Sequence, residues 1–149
     1  IKSVVTKAAT ERILEVGTKR RPTVSANGIY TVSTLSAPSS LQIGKNGVPT
    51  SYKRVITGTA SAYSGGGVTA TGKYVRPGYI AVNPNQIPYG TKMWIVSNDG
   101  SYVYGYASAE DTGGFIYWSG SSSTVCDLYF DSEGQASAFG RRGVTIYIL

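Results

Sequence analysis

Hydrophobic residues in this chain come in short runs cut by glycine. From position 54 onward the runs are 55–63 (VITGTASAY), 79–82 (YIAV), 91–97 (TKMWIVS), 102–110 (YVYGYASAE), 124–130 (TVCDLYF) and 144–149 (VTIYIL). Six short, closely spaced strands rich in β-branched and aromatic residues predict a small barrel or sandwich. Within 124–131, Cys126, Leu128 and Phe130 alternate with Val125, Asp127, Tyr129 and Asp131. A strand there turns an apolar face one way and two acids and a tyrosine the other. One helix is predicted directly after it. Ser132 can cap it, Gln135 can reach back to the cap, Ala136, Ala138 and Phe139 follow, and Gly140 stops it. Asn98-Asp99-Gly100 reads as a hairpin turn.

Upstream of residue 54 the texture differs. Residues 1–19 are ambiguous: Ser3, Val4, Val5 and Thr6 are β-prone, and Ile13, Leu14 and Val16 are too few for a helical stripe. Residues 20–53 are rich in Ser, Thr, Pro, Gly and Asn, with one β-like patch at 29–34 (IYTVST). They read as a linker, part of which packs on the domain at 54–149. The chain starts at Ile1 without a methionine or signal peptide, and is read as a segment cut from a longer protein. No run approaches the roughly 20 apolar residues of a membrane span.

Composition narrows the chemistry. Fourteen Lys and Arg against eight Asp and Glu give a net charge of +6, which suits an anionic partner such as nucleic acid, a membrane surface or an anionic cell wall. The only basic runs, Lys19-Arg20-Arg21 and Arg141-Arg142, lack the aromatic signature of RNA binders, so nucleic acid is set aside. Histidine is absent and Cys126 is the single cysteine. Zinc sites built from His and Cys, Ser-His-Asp triads and Cys-His dyads are therefore excluded, and acid–base work falls to carboxylates. Cys126, on the apolar face, reads as a small buried hydrophobe.

The acids can be audited one by one. Glu11 and Glu15 lie in the leading segment, Asp99 in the hairpin turn, and Glu133 in the first helical turn, where it complements the dipole. Asp131 precedes the helix cap and reads as solvated. Asp127 has a bland reading as a solvent-facing strand residue. Asp111, opening Asp111-Thr112-Gly113-Gly114, has one as a turn aspartate bonded to nearby amides. The sharper reading pairs them. If the strands at 101–111 and 124–131 are neighbours, the two carboxylates share a groove, one pKa rises, and a proton is held near neutral pH. That is what a general acid for glycosidic cleavage needs. Asp111, Asp127 and Asp131 could gather a hard cation through oxygen ligands, but neither a metal nor any other cofactor is expected.

The segments TGTASAYSGG (57–66), TATGKYVRPGYIAVNPNQIPYGTKMWI (69–95), AEDTGG (109–114), CDLYFDS (126–132) and FGRRGVTIYIL (139–149) resemble the 3D domain, a family named for three aspartates. That family is similar to the barrel of membrane-bound lytic transglycosylase A and to stationary-phase survival proteins that resemble resuscitation-promoting factors. The resemblance implies a mainly β fold, a six-stranded double-psi β-barrel with one short helix near the C-terminus. It implies cleavage of the β-1,4 bond between N-acetylmuramic acid and N-acetylglucosamine, leaving a 1,6-anhydro end. The aspartate of the family's D-L-Y/F-F segment, its general acid and later base, maps onto Asp127. The DTGG aspartate maps onto Asp111 as its partner. The third family aspartate follows I-A-V, and here that position is Asn83, an amide that can bond a sugar hydroxyl or orient Asp127 but can hold neither proton nor charge.

Thr112, Gly113 and Gly114 are expected to donate hydrogen bonds to the sugar, and Tyr63, Tyr117 and Trp118 to stack on its apolar faces. Residues 1–19 resemble the close of a small five-glycine wall module. The implied protein is secreted and associated with a Gram-positive wall. Its partner is the peptidoglycan glycan strand, and it acts as a monomer. Two rival readings stand beside this one. DTG also opens the active-site loop of aspartic proteases, but those need two apposed loops, and that reading leaves Asp127 unused. A barrel of the same fold that binds wall glycan without cutting it is the other, favoured by Asn83.

Overall fold

Each of the six runs forms a strand in the computed structural model, which describes residues 23–24, 30–114 and 124–149. The elements are β1 (Thr23–Val24), β2 (Tyr30–Thr31), β3 (Arg54–Tyr63), β4 (Tyr79–Val82), β5 (Lys92–Ser97), β6 (Val103–Asp111), β7 (Thr124–Tyr129), α1 (Glu133–Phe139) and β8 (Arg142–Ile148). Strands β3 to β8 close into a barrel in the order β3-β7-β4-β6-β5-β8, and β8 returns to β3. The pairs β3/β7 and β4/β6 are parallel and the others antiparallel. Closure leaves these strands no free edge. The mainly β, six-stranded double-psi barrel with one short helix, expected from the sequence, is the fold observed.

Alternation within the strands fills the interior. Ala60, Ile80, Val82, Met93, Ile95, Ala107, Ala109, Cys126, Leu128 and Ile146 are fully buried and pack as one cluster. Burying each of the larger ones contributes roughly 1.5–3 kcal/mol. Cys126 takes the core position read for it. Helix α1 starts where Ser132 Oγ accepts the Gln135 amide at 3.2 Å and ends at Gly140, whose φ of 64° an L side chain rarely adopts. Its buried Phe139 packs on Phe130, ring centroids 5.2 Å apart, and this seats the helix over the end of β7.

The segment before β3 is not loose over its described part. Val32 and Ser33 donate their amides to the carbonyls of Val103 and Tyr104 at 3.1 and 2.8 Å, and the Trp94 indole donates to the Gly47 carbonyl at 2.9 Å. Gly105 allows the close approach: a Cβ there would lie 2.7 Å from Thr31 Cβ. Residues 30–50 thus strap the outer face of β5 and β6. Residues 1–19 lie outside the described residues.

Candidate functional site

The register of four strands builds the site. Cys126 and Leu128 point into the barrel, so Asp127 between them points out. On β3 its partner is Ser61, on β4 its partner is Ala81, and Ala81 in turn pairs with Asp111 on β6. Ser61, Asp127, Ala81 and Asp111 therefore form one row across the outside of the barrel. Strands β6 and β7 are not neighbours, contrary to the pairing considered from sequence; β4 runs between them. The two acids still share a face, because only the methyl group of Ala81 separates them. With neighbouring strands about 4.8 Å apart, the Asp111 charge still acts on Asp127 across that strand.

A second row reinforces the first. Tyr63 on β3 pairs with Tyr129 on β7, and their rings meet edge to face with centroids 5.2 Å apart. The Tyr63 hydroxyl donates to Asp111 Oδ2 at 3.4 Å, and the Tyr129 hydroxyl donates to the Gly65 carbonyl. Asp111 Oδ1 accepts the amides of Ala70 at 3.0 Å and Thr112 at 2.9 Å. Asp111 is thus both the turn aspartate of its bland reading and a neighbour of Asp127.

Asp127 is held differently. Burial pushes its carboxyl up to about 6; the Ser61 hydroxyl pulls it down, the Asp111 charge pushes it up again, and the Arg141 guanidinium pulls it down. Its Oδ1 is buried and has no hydrogen-bond partner among the described residues. Buried polar atoms in folded proteins are almost always paired. An unpaired carboxylate oxygen beside a second carboxylate is a place for a proton and for an incoming donor. Burial, the Asp111 charge and the Asp127 charge also push the Tyr63 phenol up, so it stays a hydrogen-bond donor.

Between β3 and α1 runs a groove of about 370 Å³ lined by Ser61, Tyr63, Ser64, Glu133, Ser137 and Arg141. Ser61 connects it to Asp127. Ser61 and Arg141 were not singled out from sequence. The signal for Ser61 lies in the alternation of 59–63, where it shares a face with Tyr63, but which strand it faces is a matter of register. Arg141 is visible only as half of a basic pair.

The remaining expected residues fall in three places. Thr112, Gly113 and Gly114 follow Asp111 directly, with Thr112 and Gly114 exposed. Asn83 ends the run begun by β4 and turns inward on itself: its Oδ1 accepts the Asn85 amide at 3.0 Å, and its carbonyl accepts those of Gln86 and Ile87. Its amide closes a turn and makes no bond to Asp127. Tyr117 and Trp118 lie outside the described residues. No helix among the described residues is long and apolar enough to cross a membrane.

Residues 78–149 match the 3D domain. Over 116 residues the chain is 35% identical to the cell wall-binding protein YocH of Bacillus subtilis (strain 168), a match that covers 73% of this chain and 37% of that protein. Over 145 residues it is 32% identical to the putative cell wall shaping protein YabE of the same organism, covering 93% of this chain and 32% of that one. The chain spans about a third of the length of these curated relatives.

Proposed function

The chain belongs to the 3D domain family, and from that premise we propose that its barrel is a peptidoglycan lytic transglycosylase working at the cell wall, with Asp127 as the single acid and base. The observation that carries this reading is the buried, unpaired Oδ1 of Asp127 on a carboxyl whose pKa stands at about 6. An acid poised there is protonated often enough to donate and ionised often enough to accept.

In the proposed cycle, protonated Asp127 gives its proton to the glycosidic oxygen as the bond to the muramic anomeric carbon breaks. The Asp111 charge favours both the proton's retention before this step and the cationic character of the sugar during it. The Ser61 hydroxyl favours the carboxylate left behind. That carboxylate then takes the proton of the muramic 6-hydroxyl as its oxygen attacks the anomeric carbon and closes the 1,6-anhydro ring. No water is consumed, so no second catalytic carboxylate is required, in contrast to two-carboxylate hydrolases. The Thr112 hydroxyl and the Gly113 and Gly114 amides serve as donors to the sugar, and Tyr63 as an apolar wall. Asn83 holds its turn and carries no proton. In this reading the protein is secreted and acts as a monomer on wall glycan.

A second reading is favoured by Asn83 itself and by the name of the cell wall-binding relative: a barrel that holds wall glycan without cutting it. Incubation with purified peptidoglycan, followed by mass spectrometry, separates the two. The enzyme yields anhydro-muropeptides, and Asp127→Asn lowers that yield by about 10²–10⁴-fold, the usual worth of a general acid, while still pelleting with the polymer. Absence of anhydro product from a wild-type protein that pellets with the glycan would establish the binder.

A further inference from the structure

Three of the four arginines among the described residues are tied down. Arg54 donates to the Gln86 carbonyl, and Arg76 to the hydroxyl and carbonyl of Thr34. Arg142 donates to the carbonyls of Phe139 and Ala138, to Ser101 and to Asp99, and lies over the rings of Tyr102 and Phe139. Arg141, its neighbour, is exposed and makes no hydrogen bond or ion pair with any described residue. It lines the groove between β3 and α1, opposite Ser61 and Ser64 and beside Ser137. Gly140, with its positive φ, turns the chain out of the helix just before it and so sets Arg141 at the groove rim. Its charge reaches Asp127, yet it does not bond that carboxylate.

A guanidinium is a planar fork of five donors matched to a carboxylate. Here that fork faces a groove whose other polar groups are mainly hydroxyls, with Glu133 the only carboxylate in the lining. We infer that Arg141 is a specificity residue that binds a carboxylate on the side chain of the muramic acid, so that the groove between β3 and α1 seats the glycan's acidic substituent while the sugar chain lies over Asp127 and Asp111. The inference rests on the reading that wall glycan occupies the Asp127 face. It adds the class of group recognised beside the scissile bond and explains a free arginine where its neighbour is fully used. Occupation of Arg141 by an anion also removes its pull on Asp127. The acid in the bound protein then keeps its proton to higher pH than in the free protein, placing the limb of the kcat profile above that of kcat/KM.

The test is a pelleting titration on peptidoglycan freed of teichoic acid, in native form and with its carboxylates amidated, using wild type, Arg141→Gln, Arg141→Lys and Lys45→Gln. Lys45→Gln makes the same change in net charge away from the groove lining. Expected are about tenfold weaker binding of Arg141→Gln to native wall, a smaller loss for Arg141→Lys, wild-type affinity for Lys45→Gln, and no difference between wild type and Arg141→Gln on the amidated wall. Amidase-stripped glycan has lost the stem peptide and bears only the lactyl carboxylate that was amide-bonded to it: loss of the difference there assigns the contact in native wall to a stem-peptide carboxylate, and persistence shows that the fork also takes the lactyl carboxylate. The proposal is overturned if Arg141→Gln binds like wild type, if Lys45→Gln loses as much, or if Arg141→Gln loses equally on the amidated wall. A wild type that binds stripped wall weakly and is indifferent to amidation would likewise overturn it, in favour of teichoic phosphate. Binding is read without turnover, so a protein that forms no anhydro product can still show the Arg141 dependence. One that does form product can still lack it.

Discussion

Glu110 and Asp127 are acids on strands of one barrel, the first buried and the second half-buried, and they are treated in opposite ways. Glu110 is 2% exposed. Burial pushes its carboxyl up, but Lys73 at 2.8 Å, Ser108 and Thr71 at 2.6 Å outweigh that and hold it at about 2. Asp127 has burial, one hydroxyl and a like charge, and rests at about 6. The difference teaches that burial does not decide the state of an acid. The count of donors aimed at it does. Glu110 is satisfied and pins the loop that carries Ala70, Thr71 and Lys73, whose Ala70 amide in turn holds Asp111. Asp127 is left short of a donor at its buried Oδ1.

The sharpest way to break this contrast is through pH. If Asp127 donates the proton, kcat/KM falls as pH rises through about 6, approaching tenfold per unit beyond it, so roughly fiftyfold from pH 6 to pH 8. A flat profile over that window, read by release of anhydro-muropeptides, would remove Asp127 from the acid's role.

Removing the charge from the satisfied acid comes next in size. Glu110→Gln leaves Lys73 without its partner and is expected to lose about 2–4 kcal/mol at pH 7, measured by urea unfolding. The folded pKa of Glu110 is depressed from 4.5 to about 2. The stability it contributes is therefore complete above about 4.5 and is lost as pH falls toward 2, so the deficit of the variant shrinks in acid. A deficit that stays constant down to pH 2 would mean that packing, not charge, is what Glu110 supplies.

Asp127→Asn is expected to do the reverse and by less. The folded pKa of Asp127 is raised from 3.8 to about 6, so the fold disfavours the ionised form. That penalty is absent below about 4 and full above 6. After allowance for partial exposure, the variant gains about 1–2 kcal/mol at pH 8 and nothing at pH 4. Equal stability of the two proteins at pH 8 would show that Asp127 is better solvated than its unpaired oxygen indicates.

Legibility in the sequence varied with the range of the interaction. The outward aim of Asp127 follows from two apolar neighbours, Cys126 and Leu128, and needs only the period of a strand. The helix at Glu133–Phe139, with its Ser132 cap and Gly140 stop, is local chemistry of the same kind. A pairing of β6 with β7 would bring the two acids together directly and is not what occurs, because β4 lies between them, parallel to β6 and antiparallel to β7. Asn83 reads as a site residue by position, and the structure adds that its Oδ1 accepts the Asn85 amide within its own turn. Ser61 is one serine among many in the sequence, and only register sets it beside Asp127.

By itself, then, the sequence determined that the chain is built of short strands in a barrel or sandwich, that carboxylates must do any acid–base work, and which face of its strand Asp127 occupies. These depend on composition and on spacings of a few residues. Only the tertiary structure decided that Ala81 is the spacer between Asp127 and Asp111, that Ser61 and Arg141 flank the acid, and that Glu110 is silenced while Asp127 is poised. The contacts around Asp127 join residues 14 to 66 positions apart, and no local pattern encodes which strand closes on which.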